Sequence, residues 1–293
     1  MKVLVAEKCG FCHGVRNAIS VAEKILAEEK DVYSLGPIIH NKDVVDRLAK
    51  SGLKTVSGIE NIHSGTVLIR SHGAAPEQIT RLKEKGLNII DATCILVKRV
   101  QHIAAELEKE GYQVVIIGEE NHPEVRAVVG CASDVIVIAD ESDLHKLPQY
   151  AKLGVICQTT QSPDHFGKML GAMASKSFSE LKVINTLCRE AIKRQESAVR
   201  LCKQVDIMFV LGGLESANTR RLAELCKQVN QETYHLQNWQ ELDKSVLSGK
   251  KSAGVTAGAS TPDWIITDFV KNLEVMDSGN ECGKSFHKKQ RGT

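Results

Sequence analysis

Cys12, Cys94 and Cys188 occupy one place in three copies of a single pattern. They stand in Gly10-Phe11-Cys12-His13-Gly14, Asp91-Ala92-Thr93-Cys94 and Asn185-Thr186-Leu187-Cys188. Each follows a short apolar run (Val3–Ala6, Asn88–Ile90, Lys182–Ile184) and precedes an amphipathic helical stretch. Each also lies 24 residues before a glycine that ends a second apolar run: Gly36, Gly118 and Gly212. Three equivalent thiolates that converge on one point can hold a metal centre. Structural zinc usually closes with a fourth Cys or His, and catalytic zinc sites are more often His-rich. Thiolates alone suit zinc or an iron–sulfur cluster, and three cysteines on such a cluster leave one iron open. Spacing alone leaves both metals in play.

The other six of the nine cysteines lack this placement. Cys202 and Cys226 sit in helical patterns, and Cys131 and Cys157 in or beside strands, which reads as small buried apolar residues. Cys9 makes a Cys-x-x-Cys with Cys12 but has no counterpart in the other copies. Cys282 has no place in the repeat.

The remaining strand-to-helix turns are polar. After the second strands come His40-Asn41, Asn121-His122-Pro123-Glu124 and Ser216-Ala217-Asn218-Thr219. After the third come Ser71-His72-Gly73, Gln158-Thr159-Thr160-Gln161 and Gly258-Ala259-Ser260. Donor-rich loops at helix N-termini suit an anion, above all a phosphate or diphosphate. Glu124 is the carboxylate among them, and with Thr159 and Thr160 it is a candidate proton donor. Its place after Pro123 equally fits an acid at a helix start. His13, His63, His102, His145, His165, His235 and His287 are read as structural.

These turns require strands and helices in alternation. Third strands at Val67–Ile69, Val155–Cys157 and Gly254–Thr256 lead to Pro76-Glu77, Pro163-Asp164 and Pro262-Asp263. Proline at a first helical turn, with an acid beside it, marks a helix start. Ser162 and Thr261 are suited to cap two of these helices, and Ala75 gives a weaker cap. A period of about 90 residues predicts three pseudo-symmetric α/β domains with mostly parallel sheets around a central cleft. Expected boundaries are 14–88, 89–181 and 182–273, with strand 1–12 a candidate to complete the third sheet. The Gly-, Lys- and Ser-rich stretch 277–293 reads as a disordered tail.

The 293 residues carry a net charge of +2, which argues against binding nucleic acid through bulk charge. Aromatic residues are 4%, too few for a base-stacking surface. No secretory signal or membrane span is expected, which places the chain in the cytoplasm, where thiols stay reduced. Two rivals remain: a zinc-dependent hydrolase of a phosphorylated small molecule, and a binding module without catalysis.

From Met1 to about Leu273, the order of motifs resembles the LytB/IspH family, the 4-hydroxy-3-methylbut-2-enyl diphosphate reductases of the methylerythritol phosphate route to isoprenoids. Gly10-Phe11-Cys12, His40-Asn41, Ser71-His72-Gly73, Asp91-Ala92-Thr93-Cys94, His122-Pro123-Glu124, Gln158-Thr159-Thr160, Cys188, Arg194-Gln195-Glu196, Ser216 with Asn218, and Val255–Ser260 carry the match. The resemblance implies a [4Fe–4S] cluster on Cys12, Cys94 and Cys188, with the open iron taking the substrate's hydroxyl oxygen. It implies diphosphate binding by His40, His72, Ser216, Asn218 and Ser260, with His122 nearby, and protons from Glu124 assisted by Thr159. Isopentenyl and dimethylallyl diphosphate would be the products, and a ferredoxin or flavodoxin the electron donor to a monomer. Ala217 stands where the family often has a second serine, and Ile95 where it usually has proline. One hydroxyl contact at the diphosphate site of Ala217 is thereby missing from the pattern.

Overall fold

The computed structural model describes residues 1–282; residues 283–293, most of the expected tail, lie outside that description. By internal contacts the chain forms two compact units, Cys12–Ile192 and Met1–Phe11 together with the chain from Lys193 on. Three sheets thus belong to two compact units, where the repeat predicted three domains.

β1 (Lys2–Val5) opens the chain and belongs to the second of these units. The unit Cys12–Ile192 runs α1 (His13–Glu28), β2 (Val32–Leu35), α2 (Lys42–Lys50), β3 (Lys54–Val56), β4 (Thr66–Ile69), α3 (Pro76–Glu84) and β5 (Asn88–Asp91). It continues through α4 (Ile95–Lys109), β6 (Gln113–Ile117), α5 (Pro123–Val129), β7 (Val135–Ile138), β8 (Lys152–Cys157), α6 (Pro163–Ala174) and β9 (Glu180–Val183). After α7 (Arg189–Cys202), the other unit holds β10 (Ile207–Leu211), α8 (Ala217–Val229), β11 (Thr233–Leu236), β12 (Ser252–Ala257) and α9 (Asp263–Cys282).

Each sheet has four parallel strands, in the orders β3-β2-β4-β5, β7-β6-β8-β9 and β11-β10-β12-β1. The repeat pattern did not include the edge strands β3, β7 and β11, although the β-branched run Val135–Ile138 is itself a strand signal for β7. The strand before each cysteine closes the preceding sheet: β5 pairs with β4, and β9 with β8. The sheet boundaries therefore fall after Asp91 and Val183, a few residues beyond the expected ones. The physical reason is visible at Cys94. β5 completes the first sheet, while α4 packs Val100, Ala104 and Leu107 against Val114 and Ile116 of the second. In the third sheet β1 pairs with β12.

The repeat extends to single hydrogen bonds. The amides of Gly36, Gly118 and Gly212 donate to Val56, Ile138 and Leu236 at 2.8, 2.9 and 2.9 Å, tying each second strand to its edge strand. The inner strands are apolar on both faces, as helix-covered parallel strands must be. Val115 and Ile117 of β6 face one cluster, and Val114 and Ile116 the other. In β10, Ile207, Phe209 and Leu211 alternate likewise with Met208 and Val210. Each such side chain contributes about 1.5–3 kcal/mol on full burial, so the strand ends are rigid platforms for the turns. Ala75, an unfavourable cap, is supported by Gln78, whose Oε1 accepts from the Ala75 amide at 3.1 Å. Ser162 caps α6 through the His165 amide, at 3.2 Å. The Thr261 hydroxyl instead donates to the Leu211 carbonyl at 2.9 Å. No helix among the described residues is long and apolar enough to cross a membrane.

Candidate active site

The three repeat cysteines all lie in the unit Cys12–Ile192, and each immediately precedes or begins the turn into a helix. Cys12 caps α1, its Sγ accepting from the Val15 amide at 3.4 Å. Cys94 is the N-cap of α4. Burial pushes the Cys94 thiol up, the amides of Leu96 and Val97 pull it back, and the neighbouring Cys12 and Cys188 push it up again. The Cys94 sulfur is therefore close enough to Cys12 and Cys188 to feel their charge, and none of the three is in a disulfide. The approach is tight. A Cβ at Gly14 would lie 2.8 Å from the Cys94 Sγ, so α1 and α4 meet at this point only because residue 14 has no side chain.

Each of two cysteines is also bonded through its backbone to a functional loop. The Cys94 amide donates to the Ser71 carbonyl at 3.0 Å, and the Cys188 amide to the Thr159 carbonyl at 2.8 Å. Ser71 in turn donates its hydroxyl to the Ile38 carbonyl at 3.4 Å, joining the loops that carry His72 and His40. Asn41 is a cap: its Oδ1 accepts from the Val44 amide at 3.1 Å.

His40, His72 and His122 come together. Their ring centroids are 4.9 Å (His40–His72), 5.6 Å (His72–His122) and 6.3 Å (His40–His122) apart. Burial depresses the His72 imidazole well below its usual range, and His40, His122 and Arg70 depress it further, so it is neutral near pH 7. Its Nδ1 is buried without a hydrogen bond. One nitrogen of each ring lies within 4.8 Å of the others, close enough for a metal ion. His122 argues for an anion instead. Its Nδ1 accepts from the Glu124 amide at 3.2 Å, which assigns the proton of the neutral ring to Nε2. A metal ligand needs that nitrogen bare, whereas a phosphate oxygen takes a hydrogen bond from it.

Glu124 follows in the same turn and is buried, 2% exposed. Its two carboxyl oxygens accept from the Thr159 amide at 2.6 Å and the Thr159 hydroxyl at 2.8 Å. Burial raises its pKa, and the two Thr159 bonds offset part of that rise. A carboxyl so placed can hold a proton and release it to a bound group. Thr160 accepts from the Gln158 side-chain amide at 3.0 Å.

Ser216, Ala217, Asn218 and Ser260 lie in the other unit. Ser216 caps α8, its Oγ accepting from the Thr219 amide at 3.3 Å and the Thr219 hydroxyl at 2.9 Å. Ala217 opens the helix and is buried. Asn218 Nδ2 is buried without a hydrogen bond, a donor directed to something other than protein. Ser260 is buried, 7% exposed.

Cys157, Cys202 and Cys226 are buried in the apolar clusters. Burial pushes the thiols of Cys9, Cys131 and Cys157 up, so all three stay protonated at neutral pH. Two residues escaped the sequence reading. Thr186 clamps the Cys188 turn to β8: its Oγ1 accepts from the Cys157 amide at 2.8 Å and donates to the Cys157 carbonyl at 2.6 Å. Its position two before the cysteine was the available signal. Arg70, directly before Ser71 and His72, adds a cation beside the histidines.

Known proteins are similar to this chain in sequence and fold. A family profile described as LytB protein matches residues 3–274. The 4-hydroxy-3-methylbut-2-enyl diphosphate reductase of Aquifex aeolicus is 42% identical over 282 residues, covering 94% of this chain and 97% of its own. The enzyme of the same name from Pelobacter propionicus is 40% identical over 281 residues, covering 96% and 100%. A solved structure of (E)-4-hydroxy-3-methyl-but-2-enyl diphosphate reductase, the terminal enzyme of the non-mevalonate pathway, is 42% identical with TM-score 0.69 and covers 94% of this chain and 100% of that one. The Plasmodium falciparum reductase superposes with TM-score 0.88 at 28% identity, over 93% of this chain and 87% of its own. The profile spans nearly all of the described sequence, and the chain belongs to the LytB protein family.

Proposed function

We propose that this chain is a 4-hydroxy-3-methylbut-2-enyl diphosphate reductase. It removes the allylic hydroxyl as water with two electrons and two protons, giving isopentenyl or dimethylallyl diphosphate. The observation that carries this reading is the buried Glu124–Thr159 pair, joined by one backbone bond to Cys188 and by one turn to the His40–His72–His122 cluster.

A [4Fe–4S] cluster fits Cys12, Cys94 and Cys188. Three free cysteines at helix starts, two of which disfavour ionisation of the third at Cys94, are matched by a cationic centre that takes soft thiolate ligands. When bound, such a cluster supplies electrons and an open Lewis-acidic position. The rest of the chemistry belongs to side chains. A proton on His122 Nε2, left free to donate by the Nδ1 bond, suits a phosphate oxygen. His72, neutral when the site is empty of anion, gains a proton when a diphosphate arrives. Ser216, Asn218 and Ser260 are further diphosphate donors in this reading, and Ala217 contributes only its backbone N–H. Glu124 holds a proton in an environment that disfavours its charge, and Thr159 fixes the direction in which it is released. A ferredoxin or flavodoxin supplies electrons, and the enzyme works as a cytoplasmic monomer.

The test is anaerobic purification of wild type, Cys94→Ser and Cys9→Ser. The expected result is a brown, active protein for wild type and Cys9→Ser, and a colourless, inactive one for Cys94→Ser. A colourless wild type with one bound zinc would overturn the reading.

A further inference from the structure

We infer that Arg70 is a diphosphate-binding residue, the fixed positive charge beside the histidine cluster. The inference rests on the reading above and names a group that nothing in the family pattern assigned here. Arg70 ends the run of β4 and directly precedes Ser71 and His72. Its guanidinium lies over Gly36: a Cβ at that glycine would sit 2.6 Å from Nη1. Gly36 has φ +72°, a conformation that also favours glycine. The start of the turn leading to His40 therefore has room for this guanidinium only because residue 36 is a glycine.

The group is half-buried, and no carboxylate acts on it among the described residues. The charged group that does is a second cation, Arg126, whose Nη2 donates to Asn121 Oδ1 at 2.7 Å. Arg70 also acts on His72, which is neutral partly because of it. A partly desolvated guanidinium beside a second cation, Arg126, and the neutral His72 ring is unfavourable unless an anion completes the site. Guanidinium stays charged at any working pH and offers a planar fork of donors that matches phosphate oxygens. Lysine keeps the charge and loses the fork.

The experiment is steady-state kinetics of cluster-loaded Arg70→Gln, Arg70→Lys and His72→Asn under anaerobic conditions, with inorganic diphosphate as a competing probe. Arg70→Gln should raise KM and the inhibition constant of inorganic diphosphate together by about tenfold or more, the loss of charge-assisted hydrogen bonds, while kcat stays within about twofold. Arg70→Lys should recover part of that loss. If Arg70→Gln leaves both constants unchanged while His72→Asn raises them, Arg70 is a structural cation and the inference is overturned. If neither variant moves them, the diphosphate reading of the histidine cluster itself fails. Should Arg70→Gln not fold, Arg70→Lys decides: a raised KM at unchanged kcat supports the inference, and an unchanged KM overturns it.

Discussion

The Cys188 amide donates to the Thr159 carbonyl at 2.8 Å, so a repeat cysteine and the partner of the buried acid are held in one register. Thr159 then gives its amide and hydroxyl to the two oxygens of Glu124. The same bond recurs between Cys94 and Ser71, and there the next residue is His72. Each of these cysteines is thus pinned to the loop that carries its neighbouring chemistry.

Glu124→Gln should lower turnover by about 10²–10⁴-fold, the usual range for losing a positioned acid, with iron content and KM unchanged. Because burial raises the Glu124 pKa, the folded chain keeps a proton that the unfolded chain has released. Stability therefore falls as pH rises from the ordinary glutamate value through the raised one. Denaturant melts across that window should show the fall in wild type and its absence in Glu124→Gln.

Thr159→Val removes one of the two bonds that hold the Glu124 pKa down. The carboxyl should then titrate at higher pH, and the basic limb of the kcat–pH profile should move upward. Loss of a bond to a group that must ionise costs about 1.5–3 kcal/mol, so kcat should also fall. A profile that stays in place would separate Thr159 from the proton path.

His72 is held neutral first by burial, and His40, His122 and Arg70 beside it further disfavour its protonation. A diphosphate should reverse that and draw a proton onto the ring. Calorimetric titration with inorganic diphosphate in buffers of different ionisation enthalpy should report proton uptake near pH 7, and His72→Asn should abolish it. In the absence of anion the sign is opposite for stability. The depressed pKa contributes fully above the unfolded value and is lost as pH falls below about 6.5.

Gly14→Ala sets a methyl 2.8 Å from the Cys94 Sγ and 3.1 Å from its Cβ. Overpacking of this kind costs about 1–3 kcal/mol, and here the strain falls on a ligand. Iron and sulfide per chain should drop sharply, while Gly86→Ala should keep both: nothing lies within 4 Å of its Cβ, although its φ of +70° costs some stability.

Much of this was legible because the repeat places like residues at like turns. Cys12, Cys94 and Cys188, the three histidines and Glu124 all stand at strand ends, where period and glycine spacing point. The edge strand β3 was not legible. Lys54-Thr55-Val56 is three residues long and mostly exposed, so it carries no apolar signature. The sheet boundaries were missed because β5 and β9 look alike whether they open or close a sheet; pairing with β4 and β8 decides it. Arg70 was passed over because a cation after a strand is ordinary, and only the absence of an acid partner makes it unusual.

β1 pairs with β12, strands separated by almost the whole chain. β1 therefore has no sheet to join until synthesis has passed Ala257. Cys12–Ile192 contains its own two complete sheets and can order while translation continues. The strand that leads into Cys12 cannot, since its partner is made last and loop closure over that span is slow. The strand entering Cys12 is thereby fixed later than the unit that holds Cys12, Cys94 and Cys188, so the pairing of two strands far apart in sequence is the last to close.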